Sequence, residues 1–423
     1  MSRNKKFQIN KFLEFFVIML FLANTLLLAQ EQKFGLKIQS NPTDLDYWWL
    51  EKNNFGIKPD NFHFQSTWEL KTLKTTYVIN ILGQDDKEKI YFNESFIKHN
   101  FSDKTFLRIG RYYRDFSNYL NDELSSGHML ISHNAAPMSK IGLVTSQKIK
   151  KLEKIDFDFG IAHGFFDKND LYNKAPLLHE KFLYMNIRKN NYQVSIGFVH
   201  EAMWGGSTII DGNQPDTFKD FLKVFISEDG PDEGGPHPNA LGNHLGMTEI
   251  FFQKNNNNQI LKLYYQHFFE DTSGLRFRNE IDGLWGVELK NYIPETTILF
   301  EYLDTTHQDM NPPYIDDSYY NHGTYSMGWS YKDYTLGNPF INHLAVEPTE
   351  VFHMGISGKI LSDYQYKIKA SRRININDSV QYELIFGKIM DSRTKKEIPA
   401  FNIFIANNES GENGIGIEIY WEL

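Results

Sequence analysis

The chain ends in the stretch GIGIEIYWEL, residues 414–423. Apolar and polar positions alternate strictly along it, with Ile415, Ile417, Ile419, Trp421 and Leu423 set against Gly416, Glu418, Tyr420 and Glu422. In an extended strand this alternation places the apolar set on one face and the polar set on the other. A tilted strand needs about 10 residues to cross a bilayer. The stretch is therefore typical of the closing strand of an outer-membrane β-barrel.

The composition is compatible with a barrel and excludes several other classes of protein. The chain has 423 residues and no Cys, so disulfides, iron–sulfur clusters, Cys-based zinc sites and lipoprotein acylation are excluded. Its mean hydropathy of −0.47 does not suggest a helical membrane protein. A transmembrane barrel can be this polar because only every second residue of each strand meets lipid.

The N-terminus, residues 1–29, has the pattern of a secretory signal peptide. Basic residues come first, an apolar run covers residues 15–28, and Ala29 is a small residue at the expected cleavage point. The alternative is a membrane anchor, for which the run is short, since a stable span takes about 20 residues. Removal takes away four basic residues and one acidic residue, so the net charge falls from −9 to −12. Such a charge disfavours nucleic acid as a partner.

Segments of alternating hydrophobicity recur along residues 30–423 and predict a single all-β domain of about 18 strands. The predicted ranges are 35–40, 62–71, 75–83, 89–100, 105–112, 140–147, 156–165, 181–188, 192–200, 247–255, 259–270, 284–291, 296–304, 350–360, 364–375, 380–390, 398–408 and 414–423. A soluble β-sandwich or lectin is the alternative, but its strands are more often ~5–6 residues long. The lengths favour a transmembrane antiparallel β-barrel.

The connections between these strands differ sharply in length. Counting back from the last strand places the long ones, 113–139, 201–246, 271–283 and 305–349, at one end of the barrel. The same count places the short ones, 189–191, 256–258, 292–295 and 361–363, at the other end. Bacterial barrels have short periplasmic turns and long extracellular loops. We therefore expect the long connections to be extracellular and to fill part of the lumen.

The long connections are rich in aromatic, amide and ionisable residues, a combination that suits a carbohydrate. Aromatic rings cover the apolar face of a sugar, and fixed amides and carboxylates meet its hydroxyls. The predicted polysaccharide-binding residues are His200, Trp204, Asn243, His244, Asp282, Trp285, Asn321, His322, Tyr325 and Trp329. The alternative for the Gly-rich pieces is packing of the loops into the lumen.

Metal binding and catalysis are competing interpretations of the same loops. His200, His244 and His322 would have to converge to hold a metal, and no HxxxH or HExxH spacing supports that. Neighbouring Ser132 and His133 make no triad, GxSxG is absent, and Glu270 and Asp271 would point to opposite faces of a strand. The sequence thus predicts no enzyme, no metal and no cofactor. The run GRYYRD, residues 110–115, suits either an anionic ligand or ion pairing with lipopolysaccharide.

Several ordered motifs resemble the Wzi family of capsule assembly proteins. They are GRYYRD (110–115), LSSGHMLISHNA (124–135), HEAMWGG (200–206), LGNHLG (241–246), EDTSGL (270–275), DGLWG (282–286), YYNHGTY (319–325), MGW (327–329) and GNPF (337–340). The resemblance implies an 18-stranded outer-membrane barrel of a Gram-negative bacterium. It also implies a lectin-like protein that is not an enzyme and helps anchor capsular polysaccharide or exopolysaccharide at the cell surface.

This chain departs from the family pattern at two places. Enterobacterial members carry an N-terminal helical bundle that plugs the periplasmic end, whereas here only Asp44–Asn53 is a candidate helix. The usual terminal Phe is replaced by Leu423. The expected partners are polysaccharide, outer-membrane lipid including lipopolysaccharide, and the barrel-insertion machinery. The alternative function is a porin or transport channel for small solutes.

Overall fold

The computed structural model describes residues 30–40, 52–57, 62–84, 90–149, 154–230, 240–270, 277–307, 319–360, 364–374, 379–388, 400–407 and 413–422. The predicted signal peptide, most of the candidate helix Asp44–Asn53 and the terminal residue Leu423 lie outside these ranges.

Eighteen antiparallel strands form one closed barrel, as the sequence predicted. They are β1 (Glu31–Ser40), β2 (Phe62–Lys71), β3 (Thr75–Gln84), β4 (Ile90–Phe92 and Ser95–Ser102), β5 (Thr105–Arg111), β6 (Ser139–Lys148), β7 (Ile155–Phe165), β8 (Leu177–Lys189), β9 (Tyr192–Trp204), β10 (Asn243–Asn256), β11 (Gln259–Phe269), β12 (Gly283–Lys290), β13 (Thr296–Asp304), β14 (Glu350–Ile360), β15 (Tyr364–Arg373), β16 (Ser379–Lys388), β17 (Ala400–Asn407) and β18 (Asn413–Glu422). The two parts of β4 both pair with β3.

The barrel closes between its first and last strands. β1 pairs with β2 on one side and with β18 on the other, and Leu36 lies opposite Trp421. Closure lets backbone N–H and C=O groups at the seam pair within the sheet, which a strand in lipid requires because no water is available there.

The alternation in β18 separates lipid-facing from lumenal side chains as expected. Ile415 and Ile417 point outward and are 51% and 44% exposed. Glu418 points inward, where it forms an ion pair with Lys37 at 2.6 Å and accepts a hydrogen bond from Asn402 at 2.9 Å. The same apolar outward surface continues around the barrel, for example at Leu183, Phe198, Ile250, Phe300, Phe352 and Phe386.

The antiparallel order places all connections that follow odd-numbered strands at one rim. These include the long connections 112–138, 205–242, 270–282 and 305–349, so we call this end the outer rim. The short turns 190–191, 257–258 and 291–295 lie at the opposite, inner rim, and the fourth predicted short turn, 361–363, lies outside the described residues. β8, β9 and β10 extend about four residues beyond the predicted strands, because their pairing continues to Leu177, Trp204 and Asn243.

Two long connections enter the lumen and pack against each other; we call residues 112–138 and 319–349 the loop plug. Two lumenal carboxylates hold its first part. Glu249 on β10 accepts hydrogen bonds from Ser117 and Tyr119 at 2.6 and 2.8 Å, and Glu301 on β13 accepts from Ser125 at 2.7 Å. The lumen is therefore partly filled by loops, as predicted.

One short helix, α1 (Phe218–Ile226), interrupts the connection 205–242. Thr217 caps its N-terminus in a capping box with Asp220, and Ser227 ends it in the left-handed conformation with a φ of 54°. The helix packs against the outward face of the barrel, where Val224 is buried with Ala202 and Trp204. Across the described ranges, no helix has both the length and the apolarity to span a bilayer.

Candidate functional site

A cleft of about 770 Å³ opens at the outer rim; we call it the rim cleft. Its walls come from the ends of β3 and β5, the start of β4, the segment 52–57, the connection 166–176 and the second part of the loop plug. Segment 52–57 is tied to the plug by backbone hydrogen bonds from Phe55 to His133 at 2.6 Å and from Gly56 to Asn134 at 2.9 Å. The cleft is thus assembled from parts that are distant in sequence.

A tight two-residue turn projects into the rim cleft. Tyr331 pairs with Tyr334 across the turn, and Lys332 and Asp333 between them have φ values of 51° and 67°. Two successive positive φ angles define a type I′ hairpin turn, which ordinarily carries Asn and Gly. Non-glycine residues in this conformation cost free energy, and such strain is concentrated at functional sites. The turn is a feature that the sequence analysis missed.

Aromatic rings and charged groups alternate around the cleft. The ammonium of Lys332 lies 5.6 Å from the centroid of the Tyr331 ring and 6.0 Å from that of Tyr91, and its Nζ is 4.0 Å from a carboxylate oxygen of Asp167. The guanidinium of Arg111 donates a hydrogen bond to the carbonyl of Phe92 at 3.0 Å. These contacts place aromatic rings, an ammonium and a guanidinium side by side in the lining of the rim cleft.

The charge of the cleft is opposite in sign to that of the chain. Its charged lining residues are the basic Lys52, Arg111, Lys168 and Lys332 and the acidic Asp167 and Asp333. Burial lowers the pKa of His343, which also lines the cleft, to about 4, and the nearby charge of Lys52 acts in the same direction. His343 is therefore neutral at physiological pH, and the cleft has an excess of positive charge in a chain of net charge −9.

Three of the predicted binding residues, His200, Trp204 and His244, lie on the outward face of β9 and β10, beneath α1. His200 Nε2 and His244 Nδ1 are 2.8 Å apart. Trp204 packs against Phe221 of the helix, with 5.8 Å between the ring centroids. The structure thus brings this trio together, but on the outer side of the wall and not at the rim cleft.

The predicted residues of the connection 305–349 are largely buried in the loop plug. Trp329 is fully buried and donates from its indole nitrogen to the carbonyl of Leu130 at 2.8 Å. Tyr325 donates from its hydroxyl to the carbonyl of Gly205 at 3.1 Å. Asn321 donates to the carbonyl of Asn342 at 3.2 Å, and His322 Nδ1 accepts from the backbone N–H of Tyr325 at the same distance. These contacts fold the loop, which is the alternative role the sequence left open.

Asn243, Asp282 and Trp285 belong to neither of these groups. Asn243 is buried at the start of β10, opposite Met203. Asp282 is buried between β11 and β12, whereas Trp285 points outward from β12, is 40% exposed and stacks on Tyr265 with 3.8 Å between ring centroids. The rim cleft is lined by none of the ten predicted residues.

Asp282, Asp304 and His307 form a group whose ligand atoms lie within 4.8 Å of one another among the described residues. The oxygens of Asp282 already accept hydrogen bonds from the backbone N–H of His307 and from the hydroxyl of Tyr319, both at 2.9 Å. Burial raises the pKa of Asp282 to about 7, and the hydrogen bond from His307 opposes that rise. These residues form a hydrogen-bonded cluster that joins the connections 270–282 and 305–349.

The residues considered for catalysis are engaged in structural contacts. Ser132 donates from its hydroxyl to the carbonyl of Gly337 at 2.5 Å, which ties the two parts of the loop plug together. Glu270 accepts a hydrogen bond from the backbone N–H of Tyr320 at 2.6 Å, and its neighbour Asp271 lies outside the described residues.

Comparison with known proteins gives one family and one fold. The family described as "Capsule assembly protein Wzi" matches residues 50–345. No curated protein matches the chain. Wzi of Escherichia coli, described as an outer membrane protein involved in group 1 capsule assembly and a carbohydrate-binding β-barrel, aligns with a TM-score of 0.63 at 14% identity. The alignment covers 94% of this chain and 85% of the other.

Other solved barrels align less closely. OccK5 of Pseudomonas aeruginosa gives a TM-score of 0.46 at 7% identity, over 94% of this chain and 98% of its own. A mutant porin of Rhodopseudomonas blastica gives 0.40 at 7% identity, over 93% and 98% of the two chains. The likeness to the Escherichia coli barrel concerns the fold, including the closed wall of strands.

Proposed function

The chain belongs to the Wzi family of capsule assembly proteins, and from this premise we propose that it binds capsular polysaccharide in the rim cleft and holds it at the cell surface. By family and by fold, the chain is an outer-membrane barrel that takes part in capsule assembly. The proposal adds the ligand, the place of binding and the anchoring role.

The rim cleft carries the proposal. It opens at the end of the barrel where the long connections gather, and it combines the ring of Tyr334 with the charged groups of Lys332 and Asp167. Aromatic rings accept the C–H face of a sugar, and charged or amide groups bind its hydroxyls and carboxylates. The Escherichia coli relative is described as carbohydrate-binding, which supports the same chemistry here.

The excess of basic groups favours an acidic polysaccharide over a neutral one. Lys168 belongs to the connection 166–176 and Lys332 to the 331–334 turn, so a uronic acid carboxylate bound in the cleft would meet two cations. Opposite charges at a partly exposed site attract less as salt is added. Binding of an acidic capsule is therefore expected to weaken with ionic strength.

The loop plug argues against the alternative function of a porin. Its first part reaches deep into the barrel, where Lys262 on β11 donates to the carbonyl of Tyr119 at 3.0 Å. Leu124, Met129 and Leu130 are fully buried within the barrel. A single-channel conductance measurement separates the functions, because a porin conducts steadily and a plugged barrel does not.

We infer that residues 1–29 direct the chain to export and that residues 30–423 form one barrel, which the insertion machinery places among lipopolysaccharide molecules. The ten residues predicted from the sequence retain a supporting role in this proposal, since most of them hold the loops that shape the outer rim.

The direct test is binding of purified capsular polysaccharide to the full-length protein in detergent, measured by calorimetry. Replacing Lys332→Gln or Tyr334→Ala is expected to weaken binding about tenfold, equivalent to ~1.4 kcal/mol. Tyr292→Ala is the matched control, because Tyr292 is an exposed tyrosine in an inner-rim turn. Unchanged affinity in both cleft variants would show that the polysaccharide binds elsewhere.

A further inference from the structure

The helix α1 lies against the side of the barrel that faces lipid. Its Phe225 is 5.4 Å from His179 of β8, and its Phe221 is 5.5 Å from the same ring, measured between centroids. In β8 the same outward face carries Leu183, which is one of the exposed apolar residues of the barrel. The helix α1 therefore folds down over the outer wall and does not stand above the rim.

The helix keeps an apolar surface after it has packed on the wall. Phe218, Leu222 and Ile226 follow one another at four-residue spacing and are 75%, 49% and 65% exposed. Contiguous exposed apolar groups of this kind mark a surface that contacts lipid or another protein. Lys219 and Lys223 occupy the same two turns, so the helix has the composition of one that lies in a membrane interface.

A groove of about 490 Å³ runs between the C-terminal end of α1 and the wall. Its lining is almost entirely apolar and includes Leu143, Phe159, Leu183, Phe198 and Phe225. The first four are exposed residues of the lipid-facing surface, so the groove is continuous with the surface that acyl chains cover. This continuity identifies the occupant as lipid and not as a soluble partner.

The groove has one cationic group in its lining. Lys181 on β8 donates from Nζ to the carbonyl of Phe225, and its Nζ lies 4.5 Å from the centroid of that ring. An ammonium group has three hydrogens to donate, and this contact accounts for one of them. A lysine held at the edge of an apolar groove matches an anionic head group attached to an acyl chain.

We propose that this groove binds an acyl chain of lipid A, the phosphorylated lipid anchor of lipopolysaccharide in the outer leaflet, with Lys181 facing a phosphate. Lys219 and Lys223 lie on the same helix, where Lys223 forms an ion pair with Glu228 at 3.7 Å. The helix α1 thereby rests in the boundary between acyl chains and head groups, beside the barrel. This inference does not depend on polysaccharide binding at the rim cleft.

Native mass spectrometry of the full-length protein in detergent, with purified lipid A added, tests the proposal. Lys181→Gln is expected to lower the bound fraction about fivefold, equivalent to ~1 kcal/mol for one cation near a charged surface. Leu183→Trp is expected to lower it as well, because the larger side chain fills the groove. Lys254→Gln is the matched control, since Lys254 lies 5.6 Å from the Tyr192 ring near the inner rim.

Three results would overturn the proposal. Equal retention of lipid A by wild type and by both groove variants would mean that the groove is not the site. Equal retention of lipid A with its phosphates removed would deny the role of Lys181. Equally strong binding of phosphatidylglycerol would deny the assignment to lipid A. An unchanged β-sheet circular dichroism spectrum confirms that the variants are folded.

Discussion

Trp329 and Leu130, nearly two hundred positions apart in the chain, are joined by a 2.8 Å hydrogen bond from the indole nitrogen to the backbone carbonyl. The bond does not stand alone. Asn338 donates to the carbonyl of Gly127 at 2.8 Å, and Asn134 donates to that of Thr335 at 2.9 Å. The two parts of the loop plug are thus a single folded unit inside the barrel.

Replacing Trp329→Ala should loosen the plug and leave the wall intact. The side chain is fully buried, and removing a buried tryptophan costs about 3–5 kcal/mol. We expect normal insertion into the membrane and release of capsule from cells, measured as capsule retained per cell. Trp285→Ala is the control, because Trp285 faces outward, and retention equal to wild type in Trp329→Ala would contradict the prediction.

Replacing Trp204→Ala should free the helix α1. Val224 of the helix is buried in an apolar cluster with Ala202, Trp204 and Leu241. Removing the Trp204 ring therefore removes much of the surface on which the helix packs. We expect faster hydrogen exchange across residues 217–227, by about tenfold for each ~1.4 kcal/mol lost, while exchange in β18 stays unchanged. Exchange at the wild-type rate would show that the helix is held by other contacts.

Replacing Lys140→Met should destabilise the barrel strongly. Lys140 on β6 and Glu180 on β8 form a buried ion pair at 2.7 Å, with 1% and 2% of their side chains exposed. Removing one partner leaves a buried charge unpaired, which costs about 3–5 kcal/mol. Thermal unfolding in detergent measures the loss. The double variant Lys140→Met, Glu180→Gln should recover much of it, and a double variant as unstable as the single one would contradict the explanation.

The hydrogen-bonded cluster at Asp282 should make the stability of the outer connections depend on pH. An unfolded aspartate titrates near pH 3.9, whereas the pKa of Asp282 is raised to about 7. Between these values the folded chain holds a proton that the unfolded chain has released, so the free energy of unfolding falls as pH rises. We expect hydrogen exchange in residues 277–307 to quicken from about pH 4 to about pH 7 beyond the intrinsic change. Asp282→Asn should abolish this excess, and an unaltered excess in that variant would assign it to another group.

Removing the plug should open a channel. A variant with residues 113–137 replaced by a short Gly–Ser linker loses the segment that Glu249 and Glu301 hold, so we expect stable conductance in planar bilayers. Replacing residues 207–240, which carry the outward-packed helix, is the control and should leave conductance at the wild-type level. Conductance by the wild-type protein equal to that of the plug variant would favour the porin function.

The strands could be predicted from the sequence because each one meets the same two environments. Residues 296–304 and 364–373 alternate between lipid and lumen, and this local rule needs no knowledge of the partner strand. The same rule extends past the predicted end of β9. Phe198, His200, Ala202 and Trp204 continue one period-2 face, so His200 and Trp204 had to point outward with Phe198.

The rim cleft could not be predicted in the same way. Arg111, Asp167 and Lys332 meet there only because the barrel brings the ends of distant connections to one rim. The turn at Lys332 and Asp333 lacks the usual Asn-Gly signature, so the local sequence does not predict a hairpin there. The cleft is formed by contacts between distant segments and by a strained turn. Neither feature produces a periodic pattern in the sequence.

The seam between β1 and β18 sets the order in which the molecule can be assembled. Because it joins the first strand to the last, the sheet remains an open ribbon until the final ten residues have been added. Bulky plug residues such as Tyr320 and Trp329 can then settle against the ribbon from the side, and no loop has to thread a finished ring. This closure between the first and last strands of the sheet leaves a route by which the plug can be in place before the ring is complete.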